Sequence, residues 1–222
     1  CIASSLDGRH FEKFSGNPVL PEVSGGNRDP KVFWHDGSQQ WIQVLYVEQA
    51  NKLHTIHFFG SPNLKEWKLL SVTPGGTDND KYLFECPDFF ELPVIPLGNN
   101  TKPMKLWVLQ AANSQYAIGT FDGQRFTPME SRIDDVRGRG FYAAQTFSDV
   151  PDGRRIQIGW LQAPSPGMSF NQLQSIPCQL QLKETTKGIR LHHKPIEELK
   201  LETHDRSKHT LRSRRCNHSL RC

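Results

Sequence analysis

The sequence predicts an all-β protein of the β-propeller type, and three observations carry that prediction. Short runs rich in Val, Ile, Phe, Trp and Tyr, with partial alternation, are broken throughout by Gly, Pro, Asn and Asp. One turn motif returns at nearly constant spacing. Only one stretch, around Ile196–Leu201, carries a helical pattern, and it is short.

The clearest strand-like runs are Trp41–Val47, Leu53–Phe59, Leu106–Leu109, Tyr116–Phe121 and Arg155–Leu161. The recurring motif starts as Ser5-Leu6-Asp7-Gly8-Arg9-His10-Phe11. Ser61-Pro62-Asn63-Leu64-Lys65-Glu66-Trp67 and Phe121-Asp122-Gly123-Gln124-Arg125-Phe126 echo it. The closing aromatics stand at 11, 67 and 126, so the spacings are 56 and 59 residues. In each copy Asp-Gly or Asn-Leu makes the turn and the aromatic opens the return strand. One such hairpin per blade is what a propeller requires, whereas a β-sandwich seldom repeats one turn at this period. Asn99–Pro103 reads as a loop between strands. After Leu201 the pattern stops, so residues 1–202 form the folded unit and 203–222 a basic tail outside it, disordered or non-native.

Composition excludes several classes. The chain has 222 residues, 36% hydrophobic and 23% charged, which suits a globular core. No apolar run approaches the ~20 residues of a spanning helix, so no membrane partner is expected. The formal net charge is +4, but residues 204–222 hold six Lys or Arg against Asp205 alone. That leaves 21 basic and 22 acidic residues in the body, which argues against a nucleic-acid surface there. The tail itself offers no aromatic side chain for base stacking. Five widely spaced cysteines form no CxxC pair, and His192 and His193 would point to opposite faces of a strand. Neither a disulfide framework nor a metal site is expected. The chain starts at Cys1 with no leader, and it reads as cut from something longer.

Three clusters could carry chemistry. In Asn27-Arg28-Asp29-Pro30-Lys31 the Asp precedes a proline and is expected to be extended, with Arg28 beside it keeping the carboxylate ionised. The plainer reading is a strand-entry turn with a surface ion pair. In Phe84-Glu85-Cys86-Pro87-Asp88-Phe89-Phe90, Glu85 stands among apolar neighbours. Desolvation there would suit a general acid, whereas an exposed strand-end carboxylate is the plainer reading. Asp88 reads as a turn or cap. Gly138 to Phe147 mixes small residues, aromatics and Gln145, as sugar pockets do and as ordinary β cores do.

In this order the clusters resemble glycoside hydrolase family 32, the family of levanases, invertases, inulinases and fructan exohydrolases. Arg28-Asp29-Pro30 resembles its R-D-P motif and Glu85-Cys86-Pro87 its E-C motif. Phe141-Tyr142-Ala143-Ala144-Gln145 resembles its aromatic-A-A-Q stretch, and Ile158-Gly159-Trp160 its G-W strand. Ser5 to Gly8 and on to Asn17-Pro18-Val19-Leu20 resembles a blade edge. The resemblance implies a five-bladed β-propeller followed by a β-sandwich, with the N-terminal blade region and the sandwich missing from this chain. It implies Glu85 as general acid/base, Asp29 as transition-state stabiliser, and Arg28, Tyr142 and Trp160 as further substrate-binding residues. The family nucleophile is an Asp in a W-M-N-D-P-N-G motif. That motif is absent here, the one Asp-Pro pair being Asp29-Pro30. Gly140 stands where many members carry an acid, and Asn27 where many carry an aromatic.

The reaction so implied is hydrolysis of β-fructofuranosyl linkages in levan, inulin or sucrose with retention, needing no metal or organic cofactor. Without the nucleophile, the 222 residues alone are expected to be inactive. The location implied is secreted or periplasmic. A catalytically silent sugar-binding propeller and an arabinan- or xylan-cleaving propeller fit some of the same residues, although Glu85-Cys86-Pro87 with Tyr142 to Gln145 favours the fructosidase.

Overall fold

A computed structural model describes residues 1–98, 103–135 and 138–204. They form fifteen strands and two short 3-10 segments, and the fold is all-β. A two-stranded hairpin, β1 (Ala3–Ser4) and β2 (Glu12–Lys13), comes first. Three four-stranded antiparallel units follow. The first is β3 (Arg28–His35), β4 (Gln40–Glu48), β5 (Leu53–Ser61) and β6 (Lys68–Thr77). The second is β7 (Asp88–Ile95), β8 (Lys105–Gln110), β9 (Tyr116–Phe121) and β10 (Phe126–Ile133). The third is β11 (Phe141–Thr146), β12 (Arg155–Leu161), β14 (Cys178–Thr185) and β15 (Gly188–Pro195), with the short β13 (Leu173–Gln174) on the end of β12. A two-residue parallel pairing, Leu182 with Val94 and Lys183 with Ile95, joins the second and third units.

The units pack face to face as blades. Ile42, Val44, Tyr46, Ile56 and Phe58 of the first meet Phe89, Trp107, Leu109, Phe121 and Phe126 of the second. The opposite face of the second offers Phe90, Leu92, Leu106, Val108 and Ile118 to Leu180, Leu182 and Leu191 of the third. Strand β8 makes the logic plain: Trp107 and Leu109 point one way, Leu106 and Val108 the other, because side chains alternate across a strand. The first and third units keep exposed apolar side chains, Val32, Trp34 and Leu69 in the strands of one and Phe147, Phe170 and Ile176 in the loops of the other.

The repeated motif closes hairpins, as its residues require. In all three copies the side-chain oxygen of the turn Asp or Asn accepts two backbone N–H groups two and three residues on. Asp7 takes Arg9 and His10 at 2.8 Å, and Asn63 takes Lys65 and Glu66 at 3.0 Å. Asp122 takes Gln124 at 2.8 Å and Arg125 at 2.7 Å. Copies two and three join the last two strands of their blades, and the first joins β1 to β2.

The stretch around Ile196–Leu201 is a 3-10 helix over Glu197–His204, not an α-helix. Its Leu199 lies exposed. No helix among the described residues is long and apolar enough to cross a membrane. Most of the expected 99–103 loop, at 99–102, and most of the basic tail, at 205–222, lie outside the described residues.

Candidate active site

The first strands of the three blades, β3, β7 and β11, meet at their N-terminal ends, and each is kinked there. Between Arg28 and Lys31 strand β3 carries one residue more than its partner β4, a β-bulge, and Asp29 takes a left-handed φ of 59°. Between Tyr142 and Gln145 strand β11 does the same against β12, with Ala143 at φ 51°. Ahead of β7, Glu85 and Cys86 have φ values of 56° and 42°. Left-handed non-glycine residues cost energy and gather where side chains must be aimed.

The kinks bring the sequence-predicted residues together. Glu85 Oε1 accepts from Arg28 Nε at 3.1 Å and Nη2 at 2.9 Å, and its Oε2 accepts from the Tyr142 hydroxyl. Asp29 Oδ2 accepts from the Cys86 amide at 3.0 Å. Arg28 is itself held by the Gly26 carbonyl at 2.8 Å, by Glu48 at 3.7 Å and by the Tyr46 ring at 4.5 Å. The Glu85 side chain remains 25% exposed, so a ligand can reach it. Trp160 pairs with Tyr142 across the β11–β12 ladder, rings 6.4 Å apart at 69°, and is 42% exposed.

Three expectations are corrected. Asp29 is left-handed rather than extended, since the bulge needs the extra residue there and Asp tolerates that conformation. The Arg28 guanidinium turns to Glu85 rather than to the neighbouring Asp29. Glu85 has a guanidinium and a phenol for partners instead of an apolar shell. Burial works against the Arg28 cation, but the Glu85 hydrogen bond and the surrounding negative charge outweigh it and raise its pKa. Burial, then the Glu85 contact, pushes the Tyr142 phenol well above its ordinary value, which leaves it a neutral donor. Burial, reinforced by Asp29, pushes the Cys86 thiol up to about 12.

Asp88, read from sequence as a turn or cap, is fully buried and paired with Lys31 at 3.1 Å. No pairing of the two was expected, although a Lys two residues past Asp29 and an Asp three past Glu85 were visible as a charge pattern. A cavity of about 640 Å³ lies further along the same strands, lined by Lys31, Trp34, Trp107 and Arg155. It holds none of Arg28, Asp29, Glu85 and Tyr142, so carboxylate geometry rather than volume defines the candidate site. Among the described residues no group of three or more His, Cys, Asp or Glu could hold a metal ion. Glycines fit tight places here. A Cβ at Gly159 would stand 2.4 Å from the Phe141 ring. Gly140, at φ 84°, would bring one to 3.1 Å from the Gln162 backbone, so no larger side chain stands there without a shift.

An all-β chain of stacked blades with carboxylates gathered at the first strands has the form of a propeller glycosidase. Residues 1–195 match the glycosyl hydrolases family 32 N-terminal domain, and the chain belongs to that family. It is 36% identical to a levanase of Bacillus subtilis (strain 168) over 220 residues, 89% of this chain and 31% of that protein. It is 40% identical to an extracellular exo-inulinase of Meyerozyma guilliermondii over 168 residues, 72% of this chain and 32% of that one. The exo-inulinase structure from Aspergillus awamori superposes with a TM-score of 0.72 at 27% identity, covering 87% of this chain and 42% of the other. A fructofuranosidase from Schwanniomyces occidentalis, complexed with fructose, gives 0.68 at 32% identity, covering 87% and 40%. The chain thus spans about a third of the length of the curated relatives it matches.

Proposed function

We propose that this chain supplies the acid/base and the stabilising carboxylate of a retaining β-fructofuranosidase acting on levan, inulin or sucrose. The observation that carries the reading is the convergence of Glu85, Arg28, Tyr142 and Asp29 from three blades at one accessible mouth. Glu85 protonates the leaving oxygen and then takes a proton from the incoming water. Asp29, one oxygen tied to the Cys86 amide, offers the other to ring hydroxyls as positive charge develops. Arg28 and Tyr142 hold the Glu85 carboxylate in place, and exposed Trp160 offers an apolar wall to the sugar.

The nucleophile is an Asp from outside these 222 residues, brought to about 5–5.5 Å from Glu85 as retention requires. The whole protein is then a five-bladed propeller followed by a β-sandwich, with residues 1–202 inside the propeller and 203–222 outside this fold. By themselves the 222 residues release no fructose. The names of the relatives support the substrate class, and the extracellular inulinases among them support export.

The test expresses the protein as its gene encodes it and measures fructose released from sucrose, levan and inulin. Glu85→Gln should lower kcat by about 10²- to 10⁴-fold while the substrate still binds. Equal fructose release by wild type and Glu85→Gln, or turnover of arabinan or xylan instead, would overturn the reading.

A further inference from the structure

Just beyond the three kinks lies a buried charge cluster that the proposed chemistry does not use. Lys31 Nζ lies 3.1 Å from Asp88 Oδ1 and donates to the Thr146 carbonyl at 2.7 Å. Asp88 Oδ2 accepts from the Thr146 amide at 2.6 Å, and Oδ1 from its hydroxyl at 3.2 Å. Asp88 is 0% exposed, the Lys31 side chain 11% and Thr146 5%. The half-buried Arg155 guanidinium adds positive charge nearby and is anchored on the Phe147 carbonyl at 3.2 Å.

We infer that Lys31, Asp88 and Thr146 are positioning residues that lock the three first strands at one relative height and so align Asp29, Glu85 and Tyr142. The inference rests on the proposed function. Each member belongs to a different blade, two residues past Asp29, three past Glu85 and four past Tyr142. The pair grips the Thr146 main chain by both its N–H and its C=O, so a one-residue slip of β11 would break both contacts. The lock sits where the ladders of β3 and β11 resume after their bulges. Stability alone does not account for it. Two charges taken out of water gain little net energy over an apolar pair of the same volume, whereas direction and register are what an apolar pair cannot give.

The test uses the protein as its gene encodes it, with fructose release and thermal unfolding measured side by side. The double variant Lys31→Met/Asp88→Leu removes both charges together. It should keep a cooperative melt yet lower kcat by about 10²-fold, the effect of roughly 1 Å of misplacement, with KM changed less than about 3-fold. Thr146→Val, which puts a methyl in place of the hydroxyl that donates to Asp88, covers the case in which the double variant does not fold. It should lower kcat by about 3- to 10-fold at unchanged KM. Wild-type kcat in a folded double variant, or in Thr146→Val if the double does not fold, overturns this inference and leaves the proposed function standing. A wild type that releases no fructose removes the proposed function, and this inference falls with it.

Discussion

The thiol of Cys86 lies 3.5 Å from Asp29 Oδ2, and its own amide donates to the same oxygen at 3.0 Å. A thiolate there would be desolvated and would face a carboxylate, so the pKa rises to about 12 against an ordinary value near 8.5. The predicted consequence is inertness. At pH 8.5, iodoacetamide should label Cys86 in the native protein on the order of 10³-fold more slowly than in the urea-unfolded chain. Followed by peptide mass spectrometry, labelling at the unfolded rate would mean that the thiol does not sit against Asp29. At this scale the sequence picked out side chains that the fold brings together and misjudged whom they face. Arg28 and Asp29 are neighbours in the chain, and proximity suggested a pair. Successive strand residues point to opposite faces, so the Arg28 guanidinium hydrogen-bonds Glu85, 57 residues away, while the Asp29 charge acts on it without a hydrogen bond. The three-letter motifs carry no signal for a bulge.

Among the elements, the repeated turn was the most legible feature because its mechanism is local. An Asp or Asn oxygen capping two amides needs only three or four consecutive residues, so each copy declares itself. The third blade closes its last hairpin differently, between Thr185 and Gly188, with the Thr185 hydroxyl accepting from the Lys187 amide at 3.1 Å. It therefore escaped the motif. The second turn residue is left-handed in every copy: Gly8 at 70°, Leu64 at 64° and Gly123 at 90°. The surroundings of the two glycines differ. A Cβ on Gly8 would meet nothing within 4 Å, whereas one on Gly123 would stand 2.6 Å from the Ser38 Cβ. Ser38 has little freedom to move, since its hydroxyl is held 2.7 Å from His35 Nδ1. Gly8→Ala should thus cost about 1 kcal/mol, the backbone penalty alone. Gly123→Ala should cost about 1–3 kcal/mol more for the overlap. Urea unfolding of the two variants checks this, and equal midpoints would mean that the hairpin of the second blade does not rest on Ser38.

For the whole molecule, the main strand runs could be read from sequence but the faces could not be matched. Strand β8 reads as an unbroken apolar run because both of its faces are covered, and such a run does not say which residue meets which neighbour. The tyrosines record that stacking. The chain has four, at 46, 82, 116 and 142, spread over the three blades and the segment joining the first two. Tyr46 lies under Arg28, the Tyr82 hydroxyl accepts from the Arg132 amide, and the Tyr116 hydroxyl accepts from Leu191 of the next blade. Tyr142 donates to Glu85. Burial is the largest cause in every case and raises all four phenols, Tyr46 up to about 12. The neutral phenol is the form the folded state prefers. Between pH 10 and about 12 the folded chain therefore binds more protons than the unfolded one, and stability falls as pH rises. This contribution is complete below pH 10, the ordinary phenol value, and is lost on the way to about 12. Absorbance at 295 nm should stay flat through pH 10, where an ordinary phenol is half ionised, and then rise in one step together with the loss of β-sheet circular dichroism. A phenolate signal with a midpoint near 10 in a chain that keeps its β-sheet signal would place at least one tyrosine in solvent, and the blade faces would have to be paired differently.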